Sequence, residues 1–305
     1  MKKQLRTSVR LVALAIASFT LITACGSSSS SDTTVAVDTT VAVDTTVAVE
    51  APQRIVSLSA TATEMLYAIG AGKQVIAVDE YSNYPADAVA LGTKLNAFEP
   101  NIEAIAAYTP DLVIISNDMA SVTERLKALD IKVWVGAAPA TIDDAYAQIT
   151  QLGAATGHAD EASQLVTSMK DDISAAVDGV KAPAGTTYFY ELDNTYYSVT
   201  SNTFIGSLLS SLGLTNIADG VEAGNDYPQL NAEALIKANP GIIFLADTKC
   251  CAQTAATVAA RPGWSSIAAV KNNAVIELDD DISSRWGPRI VDLVKQFADA
   301  VKALK

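Results

Sequence analysis

From residue 53 onward, short continuous apolar runs alternate with stretches in which apolar positions recur every three or four places. The runs at Arg54–Leu58, Gln74–Val78, Asp111–Ser116 and Ile131–Val135 predict four strands in the first half. Thr187–Leu192, Tyr196–Thr200, Gly241–Ala246 and Ala274–Leu278 predict four more in the second. Runs that stay apolar, rather than alternating with polar residues, belong to strands covered on both faces, as in parallel sheets. The helical stretches carry their own punctuation. Thr61 and Glu64 form a capping-box pattern ahead of Ala62, Met65, Leu66 and Ile69, with Gly70 as the stop. Thr141–Thr156 ends at Gly157, Asn202–Leu212 ends at Gly213, and an amphipathic helix closes the chain from Pro288 to Leu304. Asp160–Val180 predicts a helix spanning on the order of 30 Å, stopped by Lys181-Ala-Pro-Ala-Gly185. The expected fold class is α/β: two lobes, each a mostly parallel sheet flanked by helices, joined by a single long α-helix.

One phrase occurs in both halves. Asn101-Ile-Glu-Ala-Ile-Ala-Ala-Tyr-Thr-Pro-Asp-Leu-Val-Ile-Ile-Ser116 aligns without a gap on Asn231-Ala-Glu-Ala-Leu-Ile-Lys-Ala-Asn-Pro-Gly-Ile-Ile-Phe-Leu-Ala246. Each copy reads as an Asn N-cap, a short helix, a Pro that ends it and a buried strand. One large repeat per half indicates two similar lobes with a cleft between them, and such clefts bind small ligands. Glu103 and Glu233 take equivalent places in the repeat. An acid in a first helical turn complements the helix dipole by about 0.3–1 kcal/mol.

The ends and the composition divide the chain. Residues 1–24 have a basic start (Lys2, Lys3, Arg6, Arg10), then an apolar run too short for a comfortable span, and Leu21-Ile-Thr-Ala precedes Cys25. This pattern resembles a bacterial lipoprotein signal, which implies cleavage before Cys25, lipidation of its sulfur and an extracytoplasmic protein held to the cell membrane. Residues 25–52 hold a serine run and the hexamer Thr-Thr-Val-Ala-Val-Asp at 33–38, repeated at 39–44 and, ending in Glu, at 45–50. With no large apolar side chain it reads as a tether. Residues 53–157 form the N-terminal lobe, 158–184 the interlobe helix and 185–305 the C-terminal lobe. The chain carries 21 Lys and Arg against 34 Asp and Glu, and removing the leader leaves 17 bases. So acidic a body excludes nucleic acid and anionic lipid as partners. His158 is the sole histidine, which argues against a His-based triad or a His-rich metal site.

The cleft should be lined by segments that follow the carboxyl ends of the strands. These are Ser59–Thr61, Tyr81–Tyr84, Asn96–Phe98, Ser116–Met119, Tyr190–Tyr197, Asp226–Tyr227 and Asp279–Trp286. They concentrate Tyr81, Tyr84, Phe98, Tyr190, Tyr197, Tyr227 and Trp286, broad amphipathic surfaces suited to a large planar ligand, with Asn117 as a polar neighbour. Adjacent Cys250 and Cys251 allow either a strained vicinal disulfide or two thiols in a loop, since neighbouring Cα atoms lie below the usual disulfide window. No Gly-Xaa-Ser-Xaa-Gly elbow or phosphate loop is present, so an enzyme, for example a tethered hydrolase using Asp279–Asp281, is the weaker reading. A sensory receptor would share the cleft.

Several phrases together carry a family likeness: Arg54-Ile-Val-Ser-Leu-Ser-Ala-Thr-Ala-Thr-Glu-Met-Leu, Tyr81-Ser-Asn-Tyr-Pro, the Asn101 phrase, Ser201-Asn-Thr-Phe-Ile-Gly, Ala260-Arg-Pro-Gly-Trp and Arg285-Trp-Gly-Pro-Arg289. In these the body resembles substrate-binding proteins of bacterial ABC importers, of the subgroup with one interlobe helix that serves cobalamin, haem and ferric siderophores. The resemblance implies a monomeric, non-enzymatic receptor, without a cofactor of its own, that delivers a small molecule to a permease dimer with a cytoplasmic ATPase. It implies that Glu103 and Glu233 dock on arginines of the two permease subunits. Among cobalamin binders, Tyr81 and Tyr227 match corrin contacts and Asp281 and Arg285 a polar pair near the ligand's side chains. Asp281 and Arg285 equally suit a plain i,i+4 bridge. Ser116 stands where enteric cobalamin binders have Trp, and their widely spaced disulfide is missing. A corrinoid is the first expectation for the ligand, with haem or a ferric siderophore second.

Overall fold

In the computed structural model, which describes residues 50–304, the apolar runs become two sheets. The predicted leader, Cys25 and the repeat tether lie outside the described residues. The first half runs β1 (Ile55–Leu58), α1 (Ala60–Ala68), β2 (Val75–Val78), α2 (Ala86–Val89), α3 (Ile102–Ala106), β3 (Leu112–Ile115), α4 (Val122–Lys127) and β4 (Lys132–Val135). Two helices follow, α5 (Ile142–Thr156) and α6 (Ala159–Val177). The second half runs β5 (Thr187–Glu191), α7 (Phe204–Ser211), β6 (Thr215–Asn216), α8 (Ala232–Ala238), β7 (Ile242–Leu245), α9 (Ala255–Ala259), α10 (Ala268–Lys271), β8 (Val275–Glu277), α11 (Asp280–Ser283) and α12 (Ile290–Ala303).

Both sheets are four-stranded and parallel, and they share one topology: β2-β1-β3-β4 and β6-β5-β7-β8. The central strands β1, β3 and β7 are buried along their whole length, which explains their unbroken apolar character. The sequence repeat is a structural repeat. Asn101 Oδ1 accepts from the Ala104 N–H at 3.1 Å, and Asn231 Oδ1 from the Ala234 N–H at 2.9 Å. The residues before the two prolines, Thr109 and Asn239, both take left-handed backbone (φ 47° and 50°). Thr141 and Asp144 form a reciprocal capping box on α5, and Gly157 closes it at φ 81°.

Helix α6 has 19 residues, about 28 Å at 1.5 Å per residue, and packs against α5 on one side and α12 on the other. It therefore touches helices of both halves. A second connection is electrostatic. The Glu64 carboxylate, almost fully buried on α1, accepts from Arg285 Nη1 at 2.8 Å and from Arg289 Nε at 2.9 Å and Nη2. Both arginines come from the corner between α11 and α12. Arg285 also donates to Asn83 Oδ1, the Tyr81 carbonyl and Asp281 Oδ1, each at 2.9 Å. Lys249 completes the set on Asp279 (2.8 Å) and Asp281 (2.7 Å). Three acids and three bases thus cancel across the junction.

Two expectations are corrected. Glu64 is not the partner of a Thr61 cap: Ser59 caps α1 through the Ala62 N–H, and Thr61 lies buried inside the helix. The predicted strand Tyr196–Thr200 does not join the sheet. Tyr196 sits at φ 72°, and the segment bonds locally instead, Ser198 N–H to the Pro228 carbonyl and Thr200 N–H to that of Asp226. One edge of that sheet is β6, which was not foreseen.

Replacing Glu64 by Ala leaves two arginines beside an empty site, one of them buried. Removing one partner of a buried ionic set costs about 3–5 kcal/mol. Urea unfolding should show that loss in Glu64→Ala; a change below 1 kcal/mol would place the pair among surface bridges.

Candidate functional site

A cavity of about 410 Å³ opens between the two halves. Its wall is built from segments that follow strand ends: Pro139 beyond β4, Leu192 and Val199 beyond β5, and Ser283–Trp286 beyond β8. Phe204 and Ile205 in the first turn of α7, with Asp226 and Tyr227, complete the side contributed by the second half. The first turn of α7 approaches the preceding backbone closely. A Cβ on Gly206 would come within 2.0 Å of the Thr200 carbonyl oxygen, so the Gly of the Ser201–Gly206 phrase is sterically required. Thr203 caps the helix through the Gly206 N–H at 3.1 Å. A larger depression of about 510 Å³ lies elsewhere, beside edge strand β4 and lined by Leu112, Lys132 and Trp134. It is open and far from the strand ends where the polar groups converge.

The structure brings together some of the expected residues and separates others. Tyr227 and Trp286 line the cavity, and Tyr227 is 53% exposed. Trp286 is held by its indole N–H, which donates to Gln148 Oε1 at 2.8 Å. Tyr81 and Phe98 are both exposed and meet edge to face, with centroids 5.3 Å apart. Tyr81 adjoins the cavity wall through its carbonyl on Arg285. Tyr84 belongs to a separate 310 Å³ depression with Glu64 and Arg289, whose guanidinium lies 4.4 Å from the Tyr84 ring centre. Asn117 is exposed and accepts from the Met119 N–H at 3.3 Å. Tyr197 is 40% exposed and bridges to Gln229, outside the cavity wall.

One candidate changes role, and two form the i,i+4 bridge that was the alternative reading for them. Tyr190 is fully buried in β5, its hydroxyl donating to the Ser283 carbonyl at 3.2 Å, so it packs the core and does not face a ligand. Burial raises its pKa well above that of a free tyrosine. Arg285 borders the cavity, yet four hydrogen bonds already engage its guanidinium. Asp281 is taken up by Arg285, Lys249 and Asn83. Burial pushes the Asp281 pKa up, but the bonds from Lys249 and Asn83 and the nearby Arg285 charge hold it below the usual carboxylate range. The pair is an interlobe brace. Leu192 lies in the expected Tyr190–Tyr197 segment, whereas Pro139, Phe204 and Ile205 were not foreseen; Pro139 follows a strand end and was open to the same rule that found Tyr227.

Glu103 and Glu233 are both exposed, each in the first turn of its Asn-capped helix. Neither enters an ion pair among the described residues.

An aromatic cleft between two like α/β halves is the architecture of a two-lobed solute-binding protein. Comparison with known proteins agrees. The family model described as "Periplasmic binding protein" matches residues 55–282. An uncharacterized ABC transporter substrate-binding lipoprotein of Bacillus subtilis, YvrC, is 30% identical over 259 residues, covering 82% of this chain and 80% of that protein. The crystal structure of the periplasmic vitamin B12-binding protein BtuF of Vibrio cholerae superposes with a TM-score of 0.69 at 26% identity, covering 83% of this chain and 98% of that one. A possible iron-binding (periplasmic solute-binding) protein from Staphylococcus epidermidis gives 0.70 at 27% identity, covering 83% and 99%. The chain belongs to the periplasmic binding protein family, the substrate-binding proteins of ABC importers.

A buried acidic cluster stands at the carboxyl ends of β5 and β7. Glu191 receives a two-pronged bond from Arg261, whose guanidinium stacks 4.5 Å from the Trp264 ring centre. Asp247 is fully buried beside them, and neither carboxylate oxygen has a donor among the described residues. Burial first, and the Glu191 charge second, push the Asp247 pKa up to about 7 against the pull of Arg261. The turn above carries Cys250 (exposed) and Cys251 (half-buried), both free thiols. Asp280 accepts the Lys249 and Cys250 N–H groups at 2.8–3.0 Å. Burial, then Cys251 and Asp280, push the Cys250 thiol up to about 12.

The sign of the Asp247 effect is fixed. An acid whose pKa is raised on folding adds stability below its unfolded pKa, about 4, and that contribution declines as pH rises and is gone above about 7. Asp247→Asn should therefore flatten the fall in melting temperature between pH 5 and 8 and raise it at pH 8. An unchanged profile would show that the cluster holds no extra proton.

Proposed function

We propose that this chain captures a corrinoid between its lobes and delivers it to the permease of an ABC importer, anchored to the membrane by lipid on Cys25. The cleft wall carries the reading: an apolar and aromatic surface (Tyr227, Trp286, Phe204, Ile205) whose one cation, Arg285, is already neutralised. Flat aromatic faces grip a large, rigid ligand with little loss of conformational entropy. A wall without a free cation suits a ligand with little net negative charge and disfavours polyanionic catecholate siderophores. The 26% identity and close fold match to a protein named for vitamin B12 binding support the same choice. The likeness to a possible iron-binding protein supports a ferric siderophore as the competing ligand.

Glu103 and Glu233 supply the contact with the permease. A binding protein with internal pseudo-symmetry meets a twofold dimer best with one equivalent charge per lobe. Carboxylate–arginine pairs are directional and fix register. Both acids are exposed on equivalent capped helices, free to make such pairs.

Two measurements test these parts separately. Titration with cyanocobalamin, followed by absorbance and calorimetry, should give a dissociation constant of about 1 μM or tighter; no binding at that concentration retires the corrinoid. Charge reversal at both acids, Glu103→Lys with Glu233→Lys, should abolish stimulation of the transporter's ATPase and leave cyanocobalamin affinity unchanged. Full stimulation by the double variant refutes the docking role.

A further inference from the structure

The cleft wall holds one charge that the interlobe brace does not cancel, that of Asp226. Its Oδ1 accepts from the buried Thr200 hydroxyl at 2.6 Å and from Asn202 Nδ2 at 3.1 Å. The loop beneath is pinned as well: the Thr200 N–H donates to the Asp226 carbonyl at 2.9 Å, and the Tyr227 N–H to Asn225 Oδ1 at 2.9 Å. Oδ2 accepts from no protein group among the described residues. The carboxylate is therefore held in one orientation with one face unused, in a wall otherwise made by Tyr227, Phe204, Ile205, Leu192 and Trp286.

Its ionisation is secured locally, since the bonds from Thr200, first, and Asn202 hold the Asp226 carboxyl below the usual carboxylate range. The other charged lining residue, Arg285, is bound to Glu64 and Asp281. A ligand meeting this wall finds an acceptor with a full negative charge and no compensating cation. Asp226 is exposed to solvent, so its preference acts once a bound ligand covers it: a donor placed there replaces solvent on Oδ2 with a charge-assisted bond, and an acid placed there meets a like charge.

We infer that Asp226 is a specificity-determining residue that accepts an amide or ammonium N–H of the ligand and excludes ligands that would present a carboxylate or phenolate there. The inference rests on the cleft reading proposed above and narrows it. It selects a ligand with amide-bearing periphery over one with acidic side chains.

The test compares wild type and Asp226→Asn, titrated with cyanocobalamin, with its monocarboxylate isomers (one peripheral amide hydrolysed in each) and with haemin. Wild type should bind cyanocobalamin, bind at least one monocarboxylate isomer about tenfold or more weakly, and bind haemin weakest. In Asp226→Asn, which can donate as well as accept, that isomer should approach parity. If wild type binds cyanocobalamin but Asp226→Asn leaves every affinity and their order unchanged, the role of Asp226 is refuted and the cleft reading stands. If wild type binds haemin in preference to cyanocobalamin, or binds no corrinoid, both are refuted.

Discussion

The arrangement of the two lobes depends on one carboxylate. Glu64 is removed from water on α1 and receives two guanidinium groups from the far half of the chain, Arg285 and Arg289. Burying such charges is expensive unless every lone pair is answered. Here both Glu64 oxygens are answered, Asn83, the Tyr81 carbonyl and Asp281 accept from Arg285, and Tyr84 stacks on Arg289. Such a directional set admits little variation in the angle between the lobes. With α6 touching helices of both halves, the cleft walls stand preformed, which reduces the ordering cost of binding.

The frame is symmetric while the site is not. Sheet order, Asn caps and left-handed residues before proline repeat in both halves. The surfaces that carry Glu103 and Glu233 share that repeat. The cavity wall instead comes mostly from the second half, through α7, the Asp226–Tyr227 loop and the Ser283–Trp286 corner. The repeated elements thus serve position, and the unrepeated loops serve chemistry, consistent with the rule that scaffolds hold and loops bind.

What could be read from residues alone followed the range of the interaction. The central strands, the Gly157 stop and the twin Asn caps depend on neighbours within a few positions, and these lie where they were expected. Glu64 was misread because its local pattern fits a capping box, whereas its partners lie 221 and 225 residues away. Tyr190 was misplaced because a strand covered on both faces shows no alternation that marks one side as the cleft. Tyr196–Thr200 looked like a strand by composition, yet the left-handed Tyr196 turns it towards a local partner. Tyr227 and Trp286 were reached by a topological rule, that cleft-lining segments follow strand ends, and both do line the cavity; the rule needs no side-chain detail.

A crystal structure of the protein with cyanocobalamin would test most directly whether the braced cleft is the ligand site. The corrin should lie between the lobes against Tyr227 and Trp286, with the Glu64–Arg285 and Glu64–Arg289 bonds intact. A corrin bound away from the cleft, or lobes that rotate and part Glu64 from both arginines, would contradict it.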